Sequence, residues 1–154
     1  MVQWLRRLRN RLFPNWHAPN RMEYILRLAG ECQSALDIGC GTGDVSAHLR
    51  EQRPDARIVG LDFQRYGDDG LEHLDAFVEF DLARLLEGDA HLPFDDACFD
   101  TVLLTEVIEH LTQPHALLAE VHRVLAPEGA LVLTCPNLLA LENRLSLLLG
   151  TRWG

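Results

Sequence analysis

The chain has 154 residues, enough for one folded domain, and 47% of them are hydrophobic, so a core of ordinary size can form. All 14 of its basic residues are Arg, and the absence of Lys excludes Schiff-base chemistry and a Walker-type phosphate lysine. A formal net charge of −9 argues against nonspecific nucleic-acid binding by the domain as a whole, and no nucleic-acid partner is expected.

Residues 1–30 carry six Arg and one Glu, so a basic arm precedes an acidic body over 31–154. The arm is predicted to be helical around residues 4–12 and again around 20–29. Its segment Trp4-Leu-Arg-Arg-Leu-Arg-Asn-Arg-Leu-Phe13 is short, basic and amphipathic. That pattern suits peripheral contact with an anionic membrane, a cap over a cofactor, a partner-docking helix or a plain basic leader, and all four stay open.

Ala35-Leu-Asp-Ile-Gly39 is an apolar run ending in a glycine-rich turn and reads as a buried strand. A helix follows over 43–52, stopped by Arg53-Pro54. Residues 57–62 read as a second strand, 68–75 as a short polar helix and 76–80 as a strand. Gly88, Pro93 and the Asp95-Asp96 pair mark a loop over 88–96. Residues 98–105 form the most apolar strand. A helix is expected over 114–125, because Leu117, Leu118, Val121, Val124 and Leu125 share one face. Pro127-Glu-Gly129 is expected to end it and turn the chain into a strand over 130–134. A leucine stripe over 138–149 reads as a last helix, too short to span a bilayer, which takes about 20 apolar residues. This alternation predicts an α/β fold, a Rossmann-like doubly wound, mostly parallel sheet.

The four cysteines include no C-x-x-C pair, and no histidine pair has metal-ligand spacing. Reduced thiols, no metal and a cytoplasmic location are the expectation. No apolar signal core follows the N-terminal arginines.

Leu36-Asp-Ile-Gly-Cys-Gly-Thr-Gly43 follows a predicted strand and opens a predicted helix, the context a ligand-binding glycine loop requires. A dinucleotide fingerprint needs glycine where Asp44 stands, and Asp44 would set a carboxylate where a pyrophosphate sits, so a dehydrogenase is disfavoured. Asp37 adds a carboxylate suited to an ammonium group. Asp62 ends the second strand 19 residues past Gly43, near the spacing of a ribose-binding carboxylate, and Phe63 beside it can border a base. Asp62 also reads as a helix cap or turn residue, and Asp89 as an ordinary turn residue. Cys40 reads as a small loop residue, since no nearby cation would activate its thiol. His110 reads either as a general base or acceptor-orienting group, or as a surface histidine at a helix start.

With Gly60-Leu-Asp-Phe63, Gly88-Asp-Ala-His-Leu-Pro-Phe-Asp-Asp-Ala-Cys-Phe-Asp100, Glu106-Val-Ile-Glu-His-Leu111 and Glu120-Val-His-Arg-Val-Leu-Ala-Pro-Glu-Gly129, the glycine loop completes five ordered segments. Over residues 35–136 the chain resembles class I S-adenosylmethionine-dependent methyltransferases of the small type 11 group. The resemblance implies S-adenosylmethionine as cofactor and direct in-line transfer of its methyl group to a small molecule, lipid precursor or sugar. It implies that Asp37 and the loop of Gly39, Cys40, Gly41 and Gly43 hold the methionine part. Asp62 would bind the ribose hydroxyls and Phe63 border the adenine. Asp89 would accept from the adenine amino group, with the Ala90 N–H on the ring, and Thr105 and Glu106 would line the methionine and acceptor side. The family's sheet has seven strands and only five are read here. The expectation is therefore a C-terminally incomplete domain whose open sheet edge a second copy or partner chain covers. A non-catalytic or incomplete cofactor-binding module is the alternative.

Overall fold

A computed structural model of the chain describes residues 21–66, 71–87 and 90–136. The elements are α1 (Arg21–Ala29), β1 (Ser34–Ile38), α2 (Asp44–Gln52), β2 (Arg57–Asp62), β3 (Ala76–Glu79), β4 (Phe99–Thr105), α3 (Pro114–Val124) and β5 (Leu125–Thr134). Single 3₁₀ segments occupy Leu71–His73, Leu82–Glu87 and Ile108–His110. The expected polar helix over 68–75 is thus a one-turn 3₁₀ segment where it is described. The expected helices around residues 4–12 and over 138–149 lie outside the described residues.

The five strands form one sheet in the order β3-β2-β1-β4-β5, and every neighbouring pair is parallel. The chain first winds outward from β1 to β3, then crosses over to β4 and β5. That reversal opens a crevice beyond the carboxyl ends of β1 and β4, where doubly wound sheets take their ligands.

The side-chain alternation of β1 sorts the two cores. Leu36 and Ile38 face a cluster with Val102, Leu104, Leu117, Val121 and Val124, which seats α3. Ala35 faces the other side with Ile25, Leu26, Ala29, Val45, Leu49 and Val132, which seats α1 and α2. Strands buried on both faces read as continuous apolar runs, which is why β1 and β4 were legible as strands.

The helix-to-strand boundary differs from the sequence expectation. Helix α3 starts with Pro114 in its first turn, where a missing N–H costs nothing, and runs straight into β5 at Leu125. Leu125 pairs with Phe99 and Ala130 with Thr101, so residues 126–129 bulge out opposite Asp100. Pro127 and Gly129 therefore lie inside the strand instead of separating it from the helix. A Cβ on Gly129 would sit 2.9 Å from the Asp100 carbonyl oxygen, a close approach that only glycine permits.

Candidate functional site

The turn after β1 is hung on β2: the N–H groups of Gly39 and Cys40 both donate to the Leu61 carbonyl, at 2.7 and 3.2 Å. Gly39, Gly41 and Gly43 all have positive φ, at 71°, 54° and 84°. At Gly39 a Cβ would also collide with the Val107 side chain, whereas at Gly41 a Cβ would meet nothing within 4 Å. The turn thus packs on the segment after β4 at one glycine and faces open space at the next. Gly43 caps α2, which begins at Asp44. Cys40 turns inward: its Sγ would lie 2.9 Å from a Cβ on Gly60, and burial pushes the thiol up to about 12. It packs as a neutral side chain against β2.

Two carboxylates flank this turn. Asp37 is fully buried on the α2 side of β1. Its Oδ2 accepts from the Ser46 hydroxyl at 2.7 Å, and its Oδ1 has no hydrogen-bond partner. Burial raises its pKa from 3.8 to about 6, the Ser46 bond opposes that rise, and Asp62 adds to it. A buried carboxylate oxygen without a donor is costly unless a cation or donor meets it. Asp62, only 8% exposed, ends β2. Its Oδ1 accepts from Phe63 N–H at 2.7 Å and its Oδ2 from Gly41 N–H at 2.8 Å. That second bond ties the glycine turn to the end of β2, and each oxygen keeps lone-pair capacity for a ligand.

In front of the glycine turn and Asp62 lies an open cleft of ≈ 830 Å³. Gly39, Gly41 and Thr42 form its floor, and Asp62, Phe63 and Tyr66 form the wall after β2. Phe63 is exposed and meets Tyr66 edge to face, with ring centroids 5.8 Å apart. Phe80, Asp81, Leu82 and Ala83 supply the wall after β3, and Glu106, Val107, His110, Leu111 and Thr112 the wall after β4. Asp81 Oδ1 accepts from Ala83 N–H at 2.9 Å, which fixes the carboxylate at the strand end.

Glu106 is the most constrained residue of the cleft. Its φ of 57° lies in the left-handed region, unusual for a side-chain-bearing residue. Its N–H donates to the Thr134 carbonyl at 3.1 Å, its Oε1 accepts from the Thr134 hydroxyl at 2.9 Å, and Arg21 of α1 lies 3.3 Å away. The ends of β4, β5 and the start of α1 are thereby joined at the cleft wall. His110 sits in the 3₁₀ segment with its backbone N–H on Val107 O, and its imidazole is exposed toward the cleft.

Among the residues expected from sequence, the structure brings Gly39, Gly41, Asp62, Phe63, Glu106 and His110 to the cleft. Asp37 and Cys40 lie behind the turn. Ala90 packs against the core on the α3 side. Thr105 pairs with Thr134 within the sheet. Asp89 lies outside the described residues. Asp81 and Tyr66 are cleft residues that sequence reasoning missed. The signal for Asp81 was available: it directly follows the strand-like run 76–80, much as Asp62 closes the run 57–62. Among the described residues, no cluster of three His, Cys, Asp or Glu side chains is placed to hold a metal ion.

Comparison with known proteins agrees with this geometry. The family described as a methyltransferase domain matches residues 36–133. The demethylmenaquinone methyltransferase of Thermus thermophilus is 36% identical over 107 residues, covering 63% of this chain and 44% of the relative. The protein of the same description from Deinococcus radiodurans is 39% identical over 107 residues, covering 69% and 44%. The chain thus spans less than half the length of these two curated relatives. A SAM-dependent methyltransferase from Archaeoglobus fulgidus superposes with a TM-score of 0.60 at 21% identity, covering 84% of this chain and 56% of that one.

Proposed function

The chain belongs to the methyltransferase domain family, and from that premise we propose that its cleft binds S-adenosylmethionine and transfers the methyl group to a small, amphiphilic acceptor. The observation that carries this reading is the pair of buried carboxylates, Asp37 and Asp62, flanking one glycine turn at the switch point of a parallel sheet. The site suits the cofactor chemically. The unpartnered Oδ1 of Asp37 asks for positive charge, the open backbone at Gly41 leaves room for a ligand, and the acidic surroundings tolerate a cation.

In this reading Asp37 and the Gly39–Gly43 turn hold the methionine part, Asp62 accepts from the ribose hydroxyls, and Phe63 with Tyr66 borders the adenine. Asp81 is the carboxylate that the described cleft offers to the adenine amino group. Asp89, to which the family resemblance assigns that part, lies outside the described residues. When bound, the cofactor supplies a methyl group activated by its sulfonium. The protein's own work is to align the acceptor with the methyl group and to exclude water. Val107 and Leu111 give the β4 wall an apolar part beside Glu106, His110 and Thr112. His110 takes the acceptor's proton at a ring nitrogen when the acceptor is a hydroxyl or a protonated amine. An amphiphilic acceptor fits a β4 wall that sets Val107 and Leu111 beside Glu106, His110 and Thr112, and both curated relatives above are named for demethylmenaquinone.

Calorimetric titration with S-adenosylhomocysteine tests the cofactor reading, and no binding at millimolar ligand overturns it. Transfer of labelled methyl from S-adenosylmethionine into the organic-extractable fraction of a cell extract tests the acceptor class. Label confined to the aqueous fraction overturns the amphiphilic assignment.

A further inference from the structure

We propose that the N-terminal face of this molecule docks on an anionic lipid bilayer and turns the rim of the cleft toward it. The first observation is the outer face of α1. Its inner residues Ile25, Leu26 and Ala29 are buried against the sheet, while Tyr24 and Leu28 stand 47% and 63% exposed. Arg21, Tyr24 and Leu28 follow one another at three- and four-residue steps and share one helical face, with Arg27 exposed beside them. Leu28 is the most exposed large apolar residue described, and with Arg21 and Arg27 exposed against the one acid Glu23, α1 presents an apolar face with a single net positive charge to solvent.

The second observation is the chain that leads into α1. Residues 1–20 hold four Arg and no acidic residue, with Trp4, Leu5, Leu8 and Leu12 at helical spacing. Beyond residue 30 the chain carries eight Arg against 22 acidic residues. An anionic surface therefore attracts the N-terminal part of the chain and repels the acidic remainder, which favours one orientation. The apolar residues interleaved with the arginines select a bilayer over a nucleic-acid backbone, because a bilayer takes both the cations and the apolar face. The third observation is the Arg21–Glu106 pair at 3.3 Å, which sets the start of α1 against the cleft wall. Docking at α1 thus brings the cleft rim to the lipid surface, where an amphiphilic acceptor would reside. The docking itself stands on charge and exposure; only what the cleft does there rests on the methyltransferase reading.

The test is sedimentation of the full chain with mixed phosphatidylglycerol–phosphatidylcholine vesicles and with pure phosphatidylcholine vesicles, at low and physiological salt. Binding to the mixed vesicles alone, weakening with salt, is expected. Joint replacement of Arg6, Arg7, Arg9 and Arg11 by Gln should weaken partition, by roughly fivefold for each Arg. Tyr24→Ser with Leu28→Ser should weaken it again, while S-adenosylhomocysteine affinity, read on the same preparations, stays unchanged in both variants. Equal partition to both vesicle types, or variants that sediment like the parent chain, overturns the proposal. Arg-dependent binding to RNA with no vesicle binding overturns it too and assigns the surface to nucleic acid. Vesicle binding without S-adenosylhomocysteine binding leaves the docking standing and rejects the methyltransferase reading alone.

Discussion

Asp37 sits in the wrong place for a carboxylate unless something positive meets it. Its folded-state pKa is raised from 3.8 to about 6, chiefly by burial. An acid whose folded pKa is raised binds its proton more tightly in the native state. Its favourable contribution is complete below about pH 4 and is lost as pH rises through 6. The ligand-free protein should therefore lose about 2–3 kcal/mol of stability between pH 4 and 8 from this one group. Asp37→Asn should flatten that decline in denaturant melts at the two pH values while weakening S-adenosylhomocysteine binding. A variant that binds as tightly as the parent removes Asp37 from the site. Asp62→Ala should weaken the same binding by about 1–3 kcal/mol, the size of a lost charged hydrogen-bond partner, as read by calorimetry. At Gly39 the constraint is steric as well as conformational. Gly39→Ala should cost about 1–3 kcal/mol for the positive φ alone, plus the collision with Val107. Adding Val107→Ala should recover the collision and leave the backbone strain, which a double-mutant cycle measures.

At the scale of elements, the loop before β4 is held on α3 by one ion cluster. Glu120 Oε2 accepts from Leu92 N–H at 2.7 Å and from Arg123 at 2.8 Å, and its Oε1 meets His91 at 2.9 Å. Arg123 also donates to the Phe94 and Leu92 carbonyls and to Asp96. The Arg123 bond leads in lowering the Glu120 pKa from 4.5 to about 2. A depressed acid stabilises the fold above its unfolded pKa and loses that stabilisation as pH falls through the folded value. Glu120→Gln should therefore cost about 2–3 kcal/mol at pH 7 and almost nothing near pH 2, as followed by urea unfolding. The i,i+3 spacing of Glu120 and Arg123 was visible in the sequence. That the pair reaches across to a loop some 30 residues earlier was not, because the loop's backbone groups are anonymous until the chain has folded. The β5 boundary teaches the same lesson. Pro127 and Gly129 carry a breaker signal, yet pairing with β4 on both sides of residues 126–129 absorbs them as a bulge.

At the scale of the whole molecule, charge and topology point to one arrangement. The sheet order places the glycine turn, Asp62, Asp81 and Glu106 along one edge of carboxyl ends, and the start of α1 sets Arg21 against Glu106 there. Among the described residues β5 is an edge strand, and Leu131 and Leu133 on it are exposed. No helix among the described residues is long and apolar enough to cross a membrane.

The strand–helix alternation, the glycine turn and the carboxylates at its flanks were legible from the amino-acid order alone. These depend on period, on backbone freedom and on residues adjacent in the chain, all of which are local. Packing of the folded chain is what turns Cys40 inward, brings Asp81 and Tyr66 to the cleft and braces Glu106 with Thr134 and Arg21. Each of those depends on which strand ends converge at the reversal of the sheet, and that convergence is a property of packed strands, absent from any single stretch of chain.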